Sequence, residues 1–430
     1  MKIYAVGGSV RDLKIGRECH DHDYVVVGST VEEMLAAGYK QVGAEFPVFL
    51  HPETGEEYAL ARKEVSTGDK YTDFTFKFTP DITLREDLER RDFCCNSLAM
   101  DMETGEIIDY FNGLTDIKNK LIRHVNAEHF IEDPLRVLRG IRQSCQLNFM
   151  IAEDTVRLCT DMVHKGMLSA LTPERVWKEM EKALYTKKFY LFIHYLDIMD
   201  ALSVILPEVA ELKNVPENTA YHPEGNSYKH VLLTLKEVNK YDKEGKDLAL
   251  INFALLCHDL GKALTDKTEW PAHHGHDDLG LSLIDGLCDR LKVPNDYRDF
   301  AKLFCKNHMK FYNFLERSVK TQYDNIEEIT KFKDGNKLNL VQICHACDKL
   351  GREGFVKEER IDLMLRVFTR QNIIFTILKD KGLKDLPKET QEHLNHFKGE
   401  KFGKLYRDAK ISYLKGKLNE YKQNNSRGSV

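Results

Sequence analysis

The spacing of apolar and polar positions changes near residue 84. Before it, strand-like and helix-like runs alternate. Residues 2–6 read as a strand, Gly7-Gly8 opens a helix to about Lys14, 23–27 is a second strand, and 31–37 is an amphipathic helix. Short strands are expected at 46–51 and 57–62, and the polar, aromatic-dotted stretch 66–80 reads as a mobile loop over a site. From about Leu84 onward the pattern is overwhelmingly helical. The fold class is therefore α+β, a head with a small mixed sheet followed by all-α segments.

Boundaries fall near 140, where the sheet-containing head ends, and near 215–225, which is rich in turn residues. They divide the chain into a head (1–140), a helical neck or body (141–222), a histidine-rich helical domain (223–370) and a helical tail (371–430). From Lys379 on, 13 Lys/Arg stand against 7 Asp/Glu, a basic tail that either contacts RNA or forms a solvated face.

The 430 residues suit roughly two to four domains. A net charge of −5 gives no global positive field, so a nucleic-acid partner has to be met by local basic patches. The first ten residues do not read as a signal peptide, and no apolar run approaches the roughly 18 residues of a membrane span. The ten cysteines form no framework, and Cys344 and Cys347, three apart, read as one buried helical face. A cytoplasmic protein is expected.

Candidate chemistry starts at Asp21 and Asp23. Two apart at the start of a strand, they share a face, and two hard oxygen ligands suit Mg²⁺ shared with substrate phosphates. Gly7-Gly8, between strand and helix, lets backbone N–H groups approach a triphosphate, and Arg11 one turn later adds a guanidinium. Glu57 on a neighbouring strand is a candidate third carboxylate. Asp133, Arg136 and Arg139 recur every three residues and are expected on one helical face. By themselves they read as an intrahelical Asp–Arg pair on a solvated face; beside the upstream segments, a carboxylate next to an arginine can match the amine donor and ring-nitrogen acceptor of cytosine and adenine, and meets like with like on uracil and guanine.

These segments together resemble a known family. Residues 4–16 and 21–28, Arg90-Arg91-Asp92 with Asn96, 109–113 (DYFNG) and 132–139 (EDPLRVLR) are similar, in order, to the motifs of class II CCA-adding tRNA nucleotidyltransferases of the polymerase-β superfamily. The resemblance implies a polymerase-β-like head that binds tRNA, CTP and ATP, with Asp21, Asp23 and Glu57 catalytic. It implies nucleotide contacts from Gly8, Arg11, Arg91, Asp133, Arg136 and Arg139. Cys94-Cys95 and Tyr110 depart from the family pattern, at positions expected to affect packing.

The third segment holds His230, His258-Asp259, His274, His276, His308 and Asp348, and HDLGK follows an apolar helix. Clustered His and Asp brought inward by separate helices can hold a metal. The pattern resembles an HD phosphohydrolase domain, and its attachment to such a head resembles the long, multifunctional bacterial type. This implies phosphatase, 2'-nucleotidase and 2',3'-cyclic phosphodiesterase activities. His230, His258, Asp259 and Asp348 are then the metal ligands, and His276 and His308 second candidates for a phosphate or second metal. The N/O donors fit Ni²⁺, Mn²⁺ or Mg²⁺. A poly(A) polymerase, an HD hydrolase with a binding-only head and a non-catalytic tRNA-binding factor are the rivals, and a homodimer is left open.

Overall fold

The computed structural model describes residues 1–19, 22–42, 48–66, 74–354 and 358–427, which form two compact units, Met1–Ile205 and Leu206–Val430. The first is built on β1 (Lys2–Val6), β2 (Asp23–Val27), β3 (Lys40–Val42), β4 (Val48–Leu50), β5 (Glu57–Leu60), β6 (Lys63–Ser66), β7 (Phe74–Lys77), β8 (Leu98–Asp101) and β9 (Ile107–Asp109). Seven of these make one sheet in the order β3-β4-β5-β2-β1-β8-β9, in which only β2 and β5 run parallel. The remaining two, β6 and β7, pair with each other.

Both faces of the central strands are covered, which is why they read as continuous apolar runs. Ala5, Tyr24, Val26, Tyr58 and Leu60 face one core with Val10 of helix Gly8–Ile15 and Met34 of helix Val31–Ala36. Tyr4, Val6, Val25 and Ala61 face the other, closed by Leu84 and Leu88 of helix Leu84–Glu89. By period-2 alternation Asp23 and Glu57 share the second face. Helix Leu84–Glu89 thus delivers Arg90 and Arg91 beside the two carboxylates.

Two expectations need correction. The stretch 66–80 is not all loop, since β7 lies within it; 67–73 are outside the described residues. The chain after Leu84 is mostly helical, as expected, but two strands of the main sheet lie within it and were not foreseen. β8 and β9 form a hairpin around Gly105 (φ 73°) and extend the sheet beside β1. Strands of four and three residues are too short for alternation to separate from helix.

Domain limits also move. Helix Leu135–Leu147 runs across the expected boundary at 140, and the helices up to Ile205 belong to the first unit. Helix Glu358–Leu378 crosses the limit at 370, and the tail helix Gly399–Arg427 packs on Val319–Thr330 and Glu358–Leu378, burying Ile411, Leu414 and Leu418. The tail is therefore part of the second unit's body. That unit centres on Gly245–Cys257, buried on every side from Ile251 on and there apolar except for Asn252. Among the described residues, no helix is long and apolar enough to cross a membrane.

Candidate active sites

The first unit holds a cavity of about 600 Å³ at the junction of β1, β2, β5 and the helices Gly8–Ile15, Leu135–Leu147 and Pro173–Leu184, each of which brings arginine to it. Asp23 and Glu57 line it as direct Cα partners on the parallel pair β2 and β5. This places the third carboxylate beside Asp23; Asp21 lies outside the described residues. Two exposed carboxylates converging on a cavity are an oxygen donor set of the kind Mg²⁺ takes.

Gly7 adopts φ 79°, ψ −137°, a conformation open only to glycine, and a Cβ there would stand 3.1 Å from Arg91 Nη1. The chain consequently passes close to Arg91 on its way into helix Gly8–Ile15. Arg11 is fixed by two bonds to the Asp12 carboxylate and by Nη1 donating to Asn96 Oδ1 at 2.6 Å. Asn96 in turn donates to Asp92 and Gln143. Arg90 and Arg91 share the buried carboxylate of Asp87. Burial pushes the Asp87 carboxyl up, but the two guanidinium groups hold it below the usual range.

Arg139 makes a forked pair with Asp92 Oδ2 at 2.9 and 2.6 Å. Asp92 is buried, yet Arg139 and Asn96 keep it ionised below its ordinary value. Arg136 donates to the carbonyls of His129 (2.5 Å) and Arg90 (3.0 Å), which fix its guanidinium at the cavity wall. Its other N–H groups are available for a ligand. Asp133 does not share a helical face with these arginines. It precedes helix Leu135–Leu147, receives the N–H of Leu135 and pairs with Arg175. With Pro134 as its N-cap, the helix begins at Leu135, two residues after Asp133.

Among the described residues, eight arginines and four carboxylates line this cavity, and no lysine does. An acidic chain therefore carries a concentrated positive patch of the residue best shaped for phosphate. Arg142 and Arg175 in this wall were not anticipated; Arg142 continues the 136–139 spacing, whereas Arg175 carries no local signal. Cys94 and Cys95 are buried packing groups whose thiols burial pushes up to about 12. Gly113 is required there, since a Cβ would lie 2.2 Å from the Cys94 carbonyl oxygen. Asp109 caps the turn by accepting from Phe111, Gly113 and Leu114. Tyr110 is exposed beside it.

The second unit gathers every histidine expected of it; His274 lines the same cavity but joins neither of the two donor groups there. Buried His230, His258 and Asp348 bring ligand atoms within 4.8 Å of one another, as do Asp259, His276 and His308. Asp259 joins the two groups. Its Oδ2 lies 3.2 Å from His258 Nε2, and its Oδ1 lies 3.5 and 3.7 Å from His276 and His308 Nε2. His276 and His308 thus belong to a second donor group around Asp259.

Hydrogen bonding fixes the ring states. Nδ1 of His258, His276 and His308 lies 2.8, 2.6 and 2.6 Å from the carbonyls of Leu255, His273 and Cys305, so each Nδ1–H donates outward. Each Nε2 is left as a lone pair aimed inward. The Nε2 atoms of His276 and His308 face each other at 3.0 Å, and His258 Nε2 is buried and, among the described residues, forms no aligned hydrogen bond despite the nearby Asp259 carboxylate. His230 donates Nδ1–H to Glu224 and turns Nε2 to Asp348 at 3.1 Å. Lone pairs and carboxylates facing one another with outward carbonyl or carboxylate anchors are the arrangement of divalent-metal ligands.

The segment read as an interdomain turn contributes as well. Glu217 and Glu224 are buried, and Glu224 binds both His222 and His230. Lys262 bridges Glu217 (2.7 Å) and Asp259 (2.8 Å). Burial would lower it, but those carboxylates hold its ammonium above the usual lysine range. The Cys344–Cys347 pair is buried in helix Gly335–Leu350 with both thiols free.

Residues 3–123 match the poly A polymerase head domain, 148–213 the probable RNA and SrmB-binding site of polymerase A, and 227–353 the HD domain. The fold is similar to solved CCA-adding enzymes. One in complex with ATP is 20% identical with a TM-score of 0.60, over 96% of this chain and 86% of that one. A Thermotoga maritima CCA-adding enzyme complexed with tRNA is 21% identical with a TM-score of 0.61, over 96% and 87%. A tRNA-processing enzyme with CTP is 21% identical with a TM-score of 0.55, over 96% of each chain.

Proposed function

We propose that this chain, a poly A polymerase head followed by an RNA-binding segment and an HD domain, is a CCA-adding nucleotidyltransferase with a second, phosphohydrolase site. The single observation that carries the reading is the pairing of Asp23 with Glu57 in one cavity with an arginine wall. The fold shared with CCA-adding enzymes supports tRNA, CTP and ATP as substrates.

In this reading the tRNA 3'-hydroxyl attacks the α-phosphate of CTP or ATP, and pyrophosphate leaves. Asp23, Glu57 and Asp21 would hold Mg²⁺, which when bound lowers the cost of the charge on the attacking and leaving oxygens. Gly8 and Arg11 receive the phosphates, and Arg11 is held ready by Asp12 and Asn96. Arg91, anchored on Asp87, contacts the nucleotide. Arg136, its orientation fixed by two carbonyls, offers donors to the base, and Asp133 offers an acceptor. Arg139 secures the wall through Asp92. Asp133 and Arg136 both line the cavity, so cytosine and adenine could match a donor and an acceptor there without a nucleic-acid template.

The HD donors, His230, His258, Asp259 and Asp348 with His276 and His308, would hold Mn²⁺, Ni²⁺ or Mg²⁺ for phosphatase, 2'-nucleotidase and cyclic phosphodiesterase chemistry. The two sites are tested together on the full chain with Asp23→Ala and Asp259→Ala. Asp23→Ala should lose nucleotide addition to tRNA by at least about a hundredfold and retain phosphoester hydrolysis; Asp259→Ala should do the reverse. Loss of both activities in either variant would contradict two independent sites. Nucleotide addition that survives Asp23→Ala would remove the proposed catalytic role.

A further inference from the structure

A buried cation stands directly beside the HD donors. Lys262 follows Asp259 by three residues, in the turn Leu260–Leu264, and its Nζ lies 2.8 Å from Asp259 Oδ2 and 2.7 Å from Glu217 Oε1. All three side chains are buried. An ammonium in this place is costly twice over, because it has to be paired and because it repels a divalent ion. Glu217 offsets both costs.

Glu217 reaches this position from outside the segment that matches the HD domain, which begins at residue 227. Residues 215–227 form a strap with its ends tied together. Pro216 bridges to Asn226, Glu217 N–H donates to the Gly225 carbonyl at 3.0 Å, and Ser227 N–H donates to the Val215 carbonyl at 3.1 Å. The Ser227 hydroxyl also donates to Glu217 Oε1 at 2.6 Å, so it and the Lys262 ammonium converge on one oxygen, as suits an ionised carboxylate. The strap therefore carries a negative charge to a fixed place.

Asp259 is the carboxylate that joins the two donor groups, with Oδ1 towards His276 and His308 and Oδ2 towards His258. With Lys262 and Glu217 both present, the three side chains keep one net negative charge for a divalent ion to meet. Without Glu217 the ammonium is balanced by Asp259 alone, and the joining carboxylate is neutralised. We propose that Glu217 is a positioning residue for the HD metal: by taking up the charge of Lys262, it leaves Asp259 free to bind a divalent cation. The proposal rests on the metal-holding reading of the HD donors. Outer partners of metal ligands tune affinity by about ten- to a hundredfold, which sets the size of effect to expect.

Calorimetric titration of the full, untagged chain with Ni²⁺ measures that affinity directly, and the binding phase missing from Asp259→Ala is the HD site's. Glu217→Gln keeps an oxygen for Lys262 and Ser227 and removes the charge, so it should weaken this phase by about tenfold or more. Adding Lys262→Met restores the net charge, and the double variant should regain the lost factor. A side chain that only braced the strap would not be rescued in this way, because deleting its partner removes a further contact. Unchanged affinity in Glu217→Gln, or no recovery in the double variant, overturns the proposal and leaves the metal site standing. If wild type shows no Ni²⁺ phase beyond that of Asp259→Ala, the metal-holding reading fails and the proposal with it.

Discussion

Asp92 shows how one carboxylate organises the head. It is buried, it binds Arg139 through one oxygen and Asn96 through the other, and Asn96 passes the order on to Arg11. Removing Arg139 leaves that carboxylate without its charge partner. Arg139→Ala should therefore destabilise the first unit by about 2 kcal/mol at neutral pH. The acid dependence has a definite sign. A carboxyl held below its unfolded value stabilises the fold above that value and loses the contribution as pH falls through the folded one. The gap between wild type and Arg139→Ala should then narrow between neutral pH and about pH 3. Trp177 emission during urea unfolding, in a Trp270→Phe background, reads the first unit. A gap that stays constant over that range would contradict the pairing.

Residue types demanded by chemistry were the legible part of the site. Asp23, Glu57, Arg11 and the arginines at 136 and 139, which the fold brings to one cavity, were readable because carboxylates and arginines set around a glycine turn stand out in a sequence. Arg175 was not, because its place beside Asp133 depends on packing 42 residues away in sequence. The same holds for Glu217 and Glu224. Turn residues around them signalled a linker, and only the fold shows their carboxylates buried against Lys262 and His230.

At the scale of elements, the HD site depends on how closely the turn after His258-Asp259 meets helix His276–Leu291. A Cβ on Gly261 would lie 2.0 Å from the His276 carbonyl oxygen and 2.5 Å from Gly280 N. Neither is a flexible side chain, so the turn and helix have to separate. That separation moves Asp259 from His276. Gly261→Ala should cost about 1–3 kcal/mol or more in the second unit and reduce phosphoester hydrolysis at least tenfold. Nucleotide addition should fall far less. Equal losses in both activities would contradict the assignment of this contact to the HD site alone. Elements were legible in proportion to their length. The strands at β1 and β2 and the buried helix Gly245–Cys257 stood out, whereas β8 and β9 were lost in a helical reading. Their signal was the turn at Glu103–Gly105 between two short apolar runs.

At the scale of the whole molecule, the proposed nucleotide-addition site and the proposed phosphohydrolase site lie on separate units. Domain order was readable from motifs in sequence, but the limits were not, because helices Leu135–Leu147 and Glu358–Leu378 continue through them. Composition gave no such guide either, since a net charge of −5 conceals the arginine cavity. The central claim is selection of C and A without a template. It is tested most directly by incubating the full chain with tRNA lacking its 3'-terminal CCA, labelled CTP and ATP, and reading product length on a gel. The account predicts two additions from CTP alone, a third once ATP is present, no extension from UTP or GTP, and then arrest. A long tail made from ATP with CTP ignored would contradict it, and no extension at all would contradict the enzyme reading of the head.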